Sequence, residues 1–309
     1  MLLLVAQQPP SARDHLQRGA AHLQRQEKEA AIRELRRAVA LDPRSPAAHL
    51  LLGQAYLAQG AFEMMAEAKA ELQQALDLDP NLLWARFYLA KIYLDLGRLD
   101  RAQDELERGL RIRPDVPHFL SLLGEVQRRL GHPDLAIQLN RQALQVDPAM
   151  TPSHYHIALA RLDLHQESEA LQDLEKALAS QYVTPEMYVT LGSIYAGRQD
   201  LPAAATQFRK AIALDPARPE AHLRLAGIYR LQRAYDPALA ELRLASLEGK
   251  PFLSSVYFQK LQADIFFETG QVYQDQGKTS QAVQAYRRVL DIDPGHDPAR
   301  RRLTGLETR

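Results

Sequence analysis

Apolar residues fall at helical spacing within short windows of this chain, and the windows come in pairs that recur every 34 residues. Prolines mark the interval. Pro43, Pro80, Pro148, Pro216 and Pro294 each follow an Asp, and Pro114 follows Arg113 in the same role. With this proline at position 32, units begin at Ala12, Pro46, Leu83, Pro117, Thr151, Pro185, Pro219 and Ala263. Position 8 is then always Gly or Ala: Gly19, Gly53, Ala90, Gly124, Ala158, Gly192, Ala226 and Gly270. Position 20 is Ala in all eight units: Ala31, Ala68, Ala102, Ala136, Ala170, Ala204, Ala238 and Ala282. Position 24 is mostly large and apolar, with Asn140 as the exception in the fourth unit. Position 11 carries Tyr56, Tyr93, Tyr195, Tyr229 and Tyr273.

This pattern predicts a helix pair in each unit. Small residues at positions 8 and 20 let two backbones approach closely, and a large side chain there would overpack the contact by roughly 1–3 kcal/mol. Gly60, Gly97, Gly131 and Gly277 fall where the first helix needs a left-handed terminator. The proline at position 32 stops the second helix. Ser45-Pro46, Thr151-Pro152 and Thr184-Pro185 read as caps with proline in the first turn of the next helix.

The pattern resembles the tetratricopeptide repeat (TPR), with its small-Gly-Tyr-Ala-Phe-Ala-Pro spacing, from Ala12 to His296, apart from two insertions. The resemblance implies an all-α, right-handed superhelical solenoid of eight helix-turn-helix repeats. It also implies a non-catalytic protein-protein interaction scaffold or adaptor. Such a scaffold binds another protein or peptide segment in a concave groove lined by the first helix of each repeat. The repeat positions themselves describe only helix packing.

Two stretches depart from the period. Three extra residues lie near 61–67, around Phe62, Glu63, Met64 and Met65, and read as a longer turn or a longer second helix, or else as an exposed partner contact. Ten residues, Leu253 to Gln262, precede repeat eight, with Leu253, Val256, Tyr257 and Leu261 at helical spacing. They predict an N-terminal extension of that repeat's first helix, packed on repeat seven, folded across the groove or offered as a dimer contact. Residues 1–11 read as a disordered lead-in or as the remnant of a signal peptide; the first implies a cytoplasmic protein, the second a periplasmic or secreted one. Asp297 to Arg309 reads as a capping helix or tail, with Leu303 and Leu306 covering the last repeat and Arg300, Arg301 and Arg302 on the solvated side.

Composition removes several chemistries. The chain has 309 residues and no Cys, so disulfides, thiolate nucleophiles and Cys-bound metals are excluded. Lys plus Arg equals Asp plus Glu at 38 each, so no net charge draws the chain toward nucleic acid or anionic lipid. A helical-repeat RNA binder is the remote alternative, since that class has a 35-residue period and a basic groove. No stretch reaches the length of a membrane span. No phosphate loop, metal-ligand spacing or nucleophile-base pair is present, so no catalytic residue, metal or cofactor is expected. His15, His49, His154 and His222 share position 4 and read as packing residues.

In TPR proteins positions 2, 5, 9, 12 and 13 face the groove. Position 5 is an apolar stripe here: Leu16, Leu50, Phe87, Ser121, Tyr155, Val189, Leu223 and Phe267. Position 2 includes Trp84, the only Trp, and His118, then turns acidic at Glu186, Glu220 and Asp264. The resemblance gathers Trp84, Phe87, Lys91, His118, Arg128, Arg129 and Tyr155 on one stretch of groove. Aromatic residues and Arg are the usual hot-spot types, so this stretch is expected to bind a segment with apolar anchors and acidic flanks. The Lys/Asn two-carboxylate clamp of chaperone-binding TPR proteins and the asparagine ladder of the protein O-GlcNAc transferases do not carry over, since Asn81 and Asn140 are the only asparagines. A regulatory or assembly subunit of a multi-protein enzyme, secretion or envelope complex is the alternative role.

Overall fold

A computed structural model describes residues 10–59, 64–246 and 256–308 of the chain, with only the backbone of 256–257. Seventeen helices and no strand are found among these residues. The chain divides near residue 160 into two compact units. The first unit carries α1 (Ala12–Gln24), α2 (Lys28–Leu41), α3 (Pro46–Gln59), α4 (Met65–Leu78), α5 (Leu83–Asp95), α6 (Leu99–Ile112), α7 (Pro117–Arg129), α8 (Pro133–Val146) and most of α9 (Thr151–Asp163). The second carries α10 (Glu167–Leu178), α11 (Pro185–Gly197), α12 (Leu201–Leu214), α13 (Pro219–Leu231), α14 (Tyr235–Ala245), α15 (Val256–Asp275), α16 (Thr279–Ile292) and α17 (Asp297–Glu307). In the first unit α1–α2, α3–α4, α5–α6 and α7–α8 pack as pairs; in the second α11–α12, α13–α14 and α15–α16 do, and α17 packs on α16.

The small-residue positions do what their size requires. All eight position-20 alanines have zero exposure. A Cβ added at Gly19, Gly53, Gly192 or Gly270 would lie 2.5 to 2.7 Å from the position-24 side chain of the same repeat: Leu35, Leu72, Phe208 or Tyr286. In repeat four the amide of Asn140 fills that place over Gly124. Position 27 forms a second buried stripe, with Ala38, Ala75, Gly109, Ala143, Ala177, Ala211 and Ala245.

Polar contacts recur with the same period. At position 4, His15, His49, Arg86 and His222 reach the position-23 glutamate on the partner helix, Glu34, Glu71, Glu105 and Glu241, at 2.6 to 2.8 Å. Hydrogen bonding to His15 holds the Glu34 carboxyl below the usual range. The second nitrogen of His49 lies 3.0 Å from the Pro43 carbonyl, and that of His222 lies 2.9 Å from Pro216. Arg86 donates to the Pro80 carbonyl at 2.8 Å in the same way. In repeats two, three and seven one side chain thus ties its own helix pair to the preceding linker. The linker is closed by the Asp before each proline. Asp42, Asp79, Asp147, Asp215 and Asp293 each accept the backbone N–H two residues on, at 2.9 to 3.1 Å.

The turn inside each pair is left-handed at position 15. Gly97, Gly131 and Gly277 have φ of 68°, 87° and 74°. Sequence reasoning expected glycine here, but Gln26, His165, Gln199 and Arg233 take the same conformation at 58° to 63°. The reason is the hydrogen bonding that follows. In each of these seven turns the next N–H returns to the position-11 carbonyl at 2.7 to 2.9 Å, which closes the helix end whatever the side chain. Ser45 caps α3 through the Ala48 N–H, 3.3 Å away. Thr184 makes no such bond, and Thr151 is the first residue of α9, not its cap.

The irregular stretches resolve as follows. Residues 60–63, with Gly60, Phe62 and Glu63, lie outside the described residues. The second helix of repeat two has 14 residues, as have α2 and α6, so it is not lengthened. Met64 and Met65 are half-buried against the core. Residues 1–9 and 247–255 also lie outside the described part. From Val256 on, α15 is a single helix of 20 residues. Leu261, Ile265 and Phe258 pack on Leu242, Ala245 and Leu239 of α14 and its flank. In α17, Leu303 and Leu306 pack on the cluster of Ala282, Tyr286 and Val289. Arg300 and Arg301 are exposed, but Arg302 is not on the solvated side. It lies over the Phe267 ring at 5.9 Å and donates to Gln274 at 3.0 Å.

Candidate protein-binding face

The candidate face belongs to the first unit, where α5 and α7, the first helices of repeats three and four, lie side by side. At their N-terminal ends four aromatic rings meet. Trp84 stands edge-on to Phe87 and to His118, with ring centroids at 5.5 and 5.4 Å. Tyr88 lies 6.5 Å from Trp84 and 5.7 Å from Phe87. Trp84 is 44% exposed in spite of these neighbours. His118 is exposed, and Phe87 and Tyr88 are half-buried. Burial pushes the Tyr88 hydroxyl up from its ordinary value.

The aromatic group rests on a buried ring. Phe119 has zero exposure and lies 5.6 Å from Phe87. Space for it exists because position 27 of repeat three is Gly109. A Cβ there would overlap the Phe119 ring. Where the preceding repeats meet, Ala38 and Ala75 are opposite Ala48 and Ala85 in these two positions. Volume has therefore moved from α6 to α7 at this one junction.

At the C-terminal ends of the same helices the groups are charged. Arg128 donates to Glu125 through two nitrogens, at 2.8 and 3.0 Å. Arg129 donates to the same carboxylate at 2.7 Å and to the Leu94 carbonyl of α5 at 3.3 Å. Glu125 is only 5% exposed. Burial alone would raise its pKa. The hydrogen bonds and charge of Arg128, with His156 and Arg129, outweigh that and pull it to about 2. Lys91 is exposed on α5, and its charge acts on Asp95 four residues on.

A buried polar chain continues from here. Ser121 Oγ donates to Asn140 at 2.9 Å, and Asn140 donates to the Ala136 carbonyl at 2.9 Å. His156 Nδ1 on α9 lies 3.2 Å from the Ser121 carbonyl and 3.1 Å from its hydroxyl. Burial holds the His156 pKa below its ordinary value. Tyr155 is the neighbouring residue, its ring centroid 6.1 Å from that of His156.

Of the sequence-derived set, Trp84, Phe87 and His118 are in mutual ring contact. Arg128 and Arg129 share one carboxylate. Lys91 lies midway along α5, and Tyr155 lies on α9. Tyr88, Phe119 and Glu125 escaped sequence reasoning. Glu125 stands three and four residues before the arginines, the spacing at which helix side chains meet, and that signal was available. In the second unit two of the three acidic position-2 residues are also occupied: Arg218 reaches both Glu186, at 2.6 Å, and Glu220, at 3.7 Å. No helix among the described residues is long and apolar enough to cross a membrane.

Tetratricopeptide-repeat family models match residues 63–126 and 263–296, and a TPR repeat model matches residues 19–60 and 192–232. This chain is a tetratricopeptide-repeat protein. The TPR chain is 24% identical over 210 residues to Tetratricopeptide repeat protein 8 of Caenorhabditis elegans, covering 67% of this chain and 39% of that protein. It is 25% identical over 193 residues to Anaphase-promoting complex subunit 3 of Schizosaccharomyces pombe, covering 62% of this chain and 28% of that one. The TPR chain therefore spans well under half the length of these two curated relatives. Its fold is similar to that in the crystal structure of the APC/C hetero-tetramer Cut9-Hcn1, with a TM-score of 0.71 at 16% identity, over 94% of this chain and 55% of that one.

Proposed function

We propose that this chain holds a partner protein and catalyses no reaction itself, with a segment of the partner seated on the first-helix face of repeats three to five. The observation that carries the reading is Trp84. A large ring left 44% exposed, yet held by three aromatic neighbours, is a pre-positioned anchor whose apolar surface still awaits burial. Covering it needs little further ordering of the side chain.

A place in a multi-protein assembly is the specific form of this role that the comparisons favour. The fission-yeast relative is named as a subunit of the anaphase-promoting complex. The test is to isolate the wild-type chain from its own cells after cross-linking, identify the partner segment, and measure its affinity for wild type and Trp84→Ala. A loss of about tenfold or more, equal to roughly 1.4 kcal/mol, is expected. A change of less than about twofold would remove Trp84 from the interface.

A further inference from the structure

The arginines of repeat four, Arg128 and Arg129, invite an acidic ligand when seen in the sequence, and the structure changes that expectation. Resting on the reading above, we propose that Glu125 sets the specificity of this face: its carboxylate occupies the Arg128–Arg129 site and turns acidic segments away, so that the face accepts an uncharged segment with an aromatic or aliphatic anchor.

Three observations carry this. Glu125, Arg128 and Arg129 stand at positions 9, 12 and 13 of their repeat, all on the first-helix face. The Glu125 side chain is 6% exposed and accepts three charge-assisted hydrogen bonds at 2.7 to 3.0 Å. Such bonds are about twice as strong as neutral ones, and one of the two pairs is a fork on a single carboxylate. An incoming carboxylate has two routes, and both are unfavourable. It either pushes Glu125 out of its pocket, leaving a carboxylate without its partners, or it settles beside a buried like charge. Along the rest of the strip the charges of Lys91 and Arg129 act on Asp95. The aromatic end is about 16 Å away along the helix, eleven residues at 1.5 Å each, and carries no formal charge.

Excluding a partner by an internal mimic of its charge is different from lacking the charge to bind it. The arginines remain in place, so removal of one carboxylate should create an anion site where none operates. That outcome is not expected of a residue whose role is only structural.

The test uses an array of peptides with Trp, Phe, Leu or Pro anchors, each made with Asp/Glu flanks and again with Asn/Gln flanks. It is probed with the full chain as wild type, Glu125→Gln and Trp84→Ala. Wild type should retain the neutral version at least as well as the acidic one. Glu125→Gln should shift the preference toward the acidic version by about tenfold. Should Glu125→Gln fail to fold, the double variant Glu125→Gln with Arg128→Leu frees Arg129 alone and should shift the preference the same way. An acidic preference in wild type, or an unchanged preference in both variants, overturns the proposal. Trp84→Ala separates the two readings. If it loses the peptides while Glu125→Gln keeps the wild-type preference, only the role of Glu125 falls. If it binds as wild type does, or if wild type retains neither version, the face itself is misplaced and both readings fall.

Discussion

Gly109 and Glu125 show how one side chain decides local energetics here. Gly109→Ala places a methyl group inside the Phe119 ring, and urea unfolding should show a loss of roughly 1–3 kcal/mol. Gly197→Ala has open space around it and ends a helix, so it should stabilise by about 0.5–1 kcal/mol. Glu125 gives a pH signature. Its folded pKa of about 2 lies below the ordinary 4.5, so its ionised form stabilises fully above 4.5. That contribution is lost as pH falls from 4.5 through about 2. At neutral pH it amounts to about 3 kcal/mol, from roughly 1.4 kcal/mol per pH unit. Acid unfolding of wild type and Glu125→Gln should therefore differ most at neutral pH and converge near pH 2. Sequence reasoning read the position-20 alanines correctly, because a small residue in a close helix contact has only one packing role. The arginines were read as groove residues for an acidic flank because position in the repeat says where a side chain starts, not which carboxylate it meets. Phe119 was invisible for a similar reason: its partner is a missing side chain, visible only when junctions are compared.

Among the helix pairs, the recurring position-4 contact makes a sharp demand. His49 and His222 each place both ring nitrogens against acceptors, as Arg86 does with its guanidinium. His222→Arg should therefore preserve stability, while His222→Leu leaves the carbonyl and carboxylate unmatched at a cost of about 1–3 kcal/mol. Thermal melts of the two variants would distinguish them. The turns make the opposite kind of statement. Gln26, His165, Gln199 and Arg233 hold a conformation that costs an L residue roughly 1–2 kcal/mol. Replacing each by Gly should stabilise by about 1 kcal/mol or less, since glycine also gains entropy in the unfolded chain. A melting point lowered by any of the four would show that its side chain makes a compensating contact. Helix boundaries were legible from Pro and Gly, whereas these four turns were hidden because a hydrogen-bond pattern, not a residue type, sets them.

For the whole molecule, stability in an array of repeats is a sum of local terms between neighbours. Truncation before Asp297 removes Leu303 and Leu306 from the Tyr286 cluster and exposes an apolar end. Light scattering should report association, and hydrogen exchange should rise in α15 and α16 but not in α1 to α4. The eightfold repeat was legible throughout, since it is written in residue size. The partner was not, because that information lies at positions that differ between repeats and depends on which of their charges are already matched. The Asp-Pro linkers carry one further consequence, for the covalent chain. In hot dilute acid an Asp-Pro bond is the weakest peptide bond, because the carboxyl attacks its own carbonyl and the proline nitrogen leaves readily. All seven such bonds here lie at helix ends: four between repeats, one between repeat eight and α17, and two in the first turns of α14 and α17. The carboxyl that shapes each of those five linkers is thus also the group that would cut there, and mild acid should release fragments of one or two repeats, with one further cut inside repeat seven at Asp236-Pro237, readable by mass.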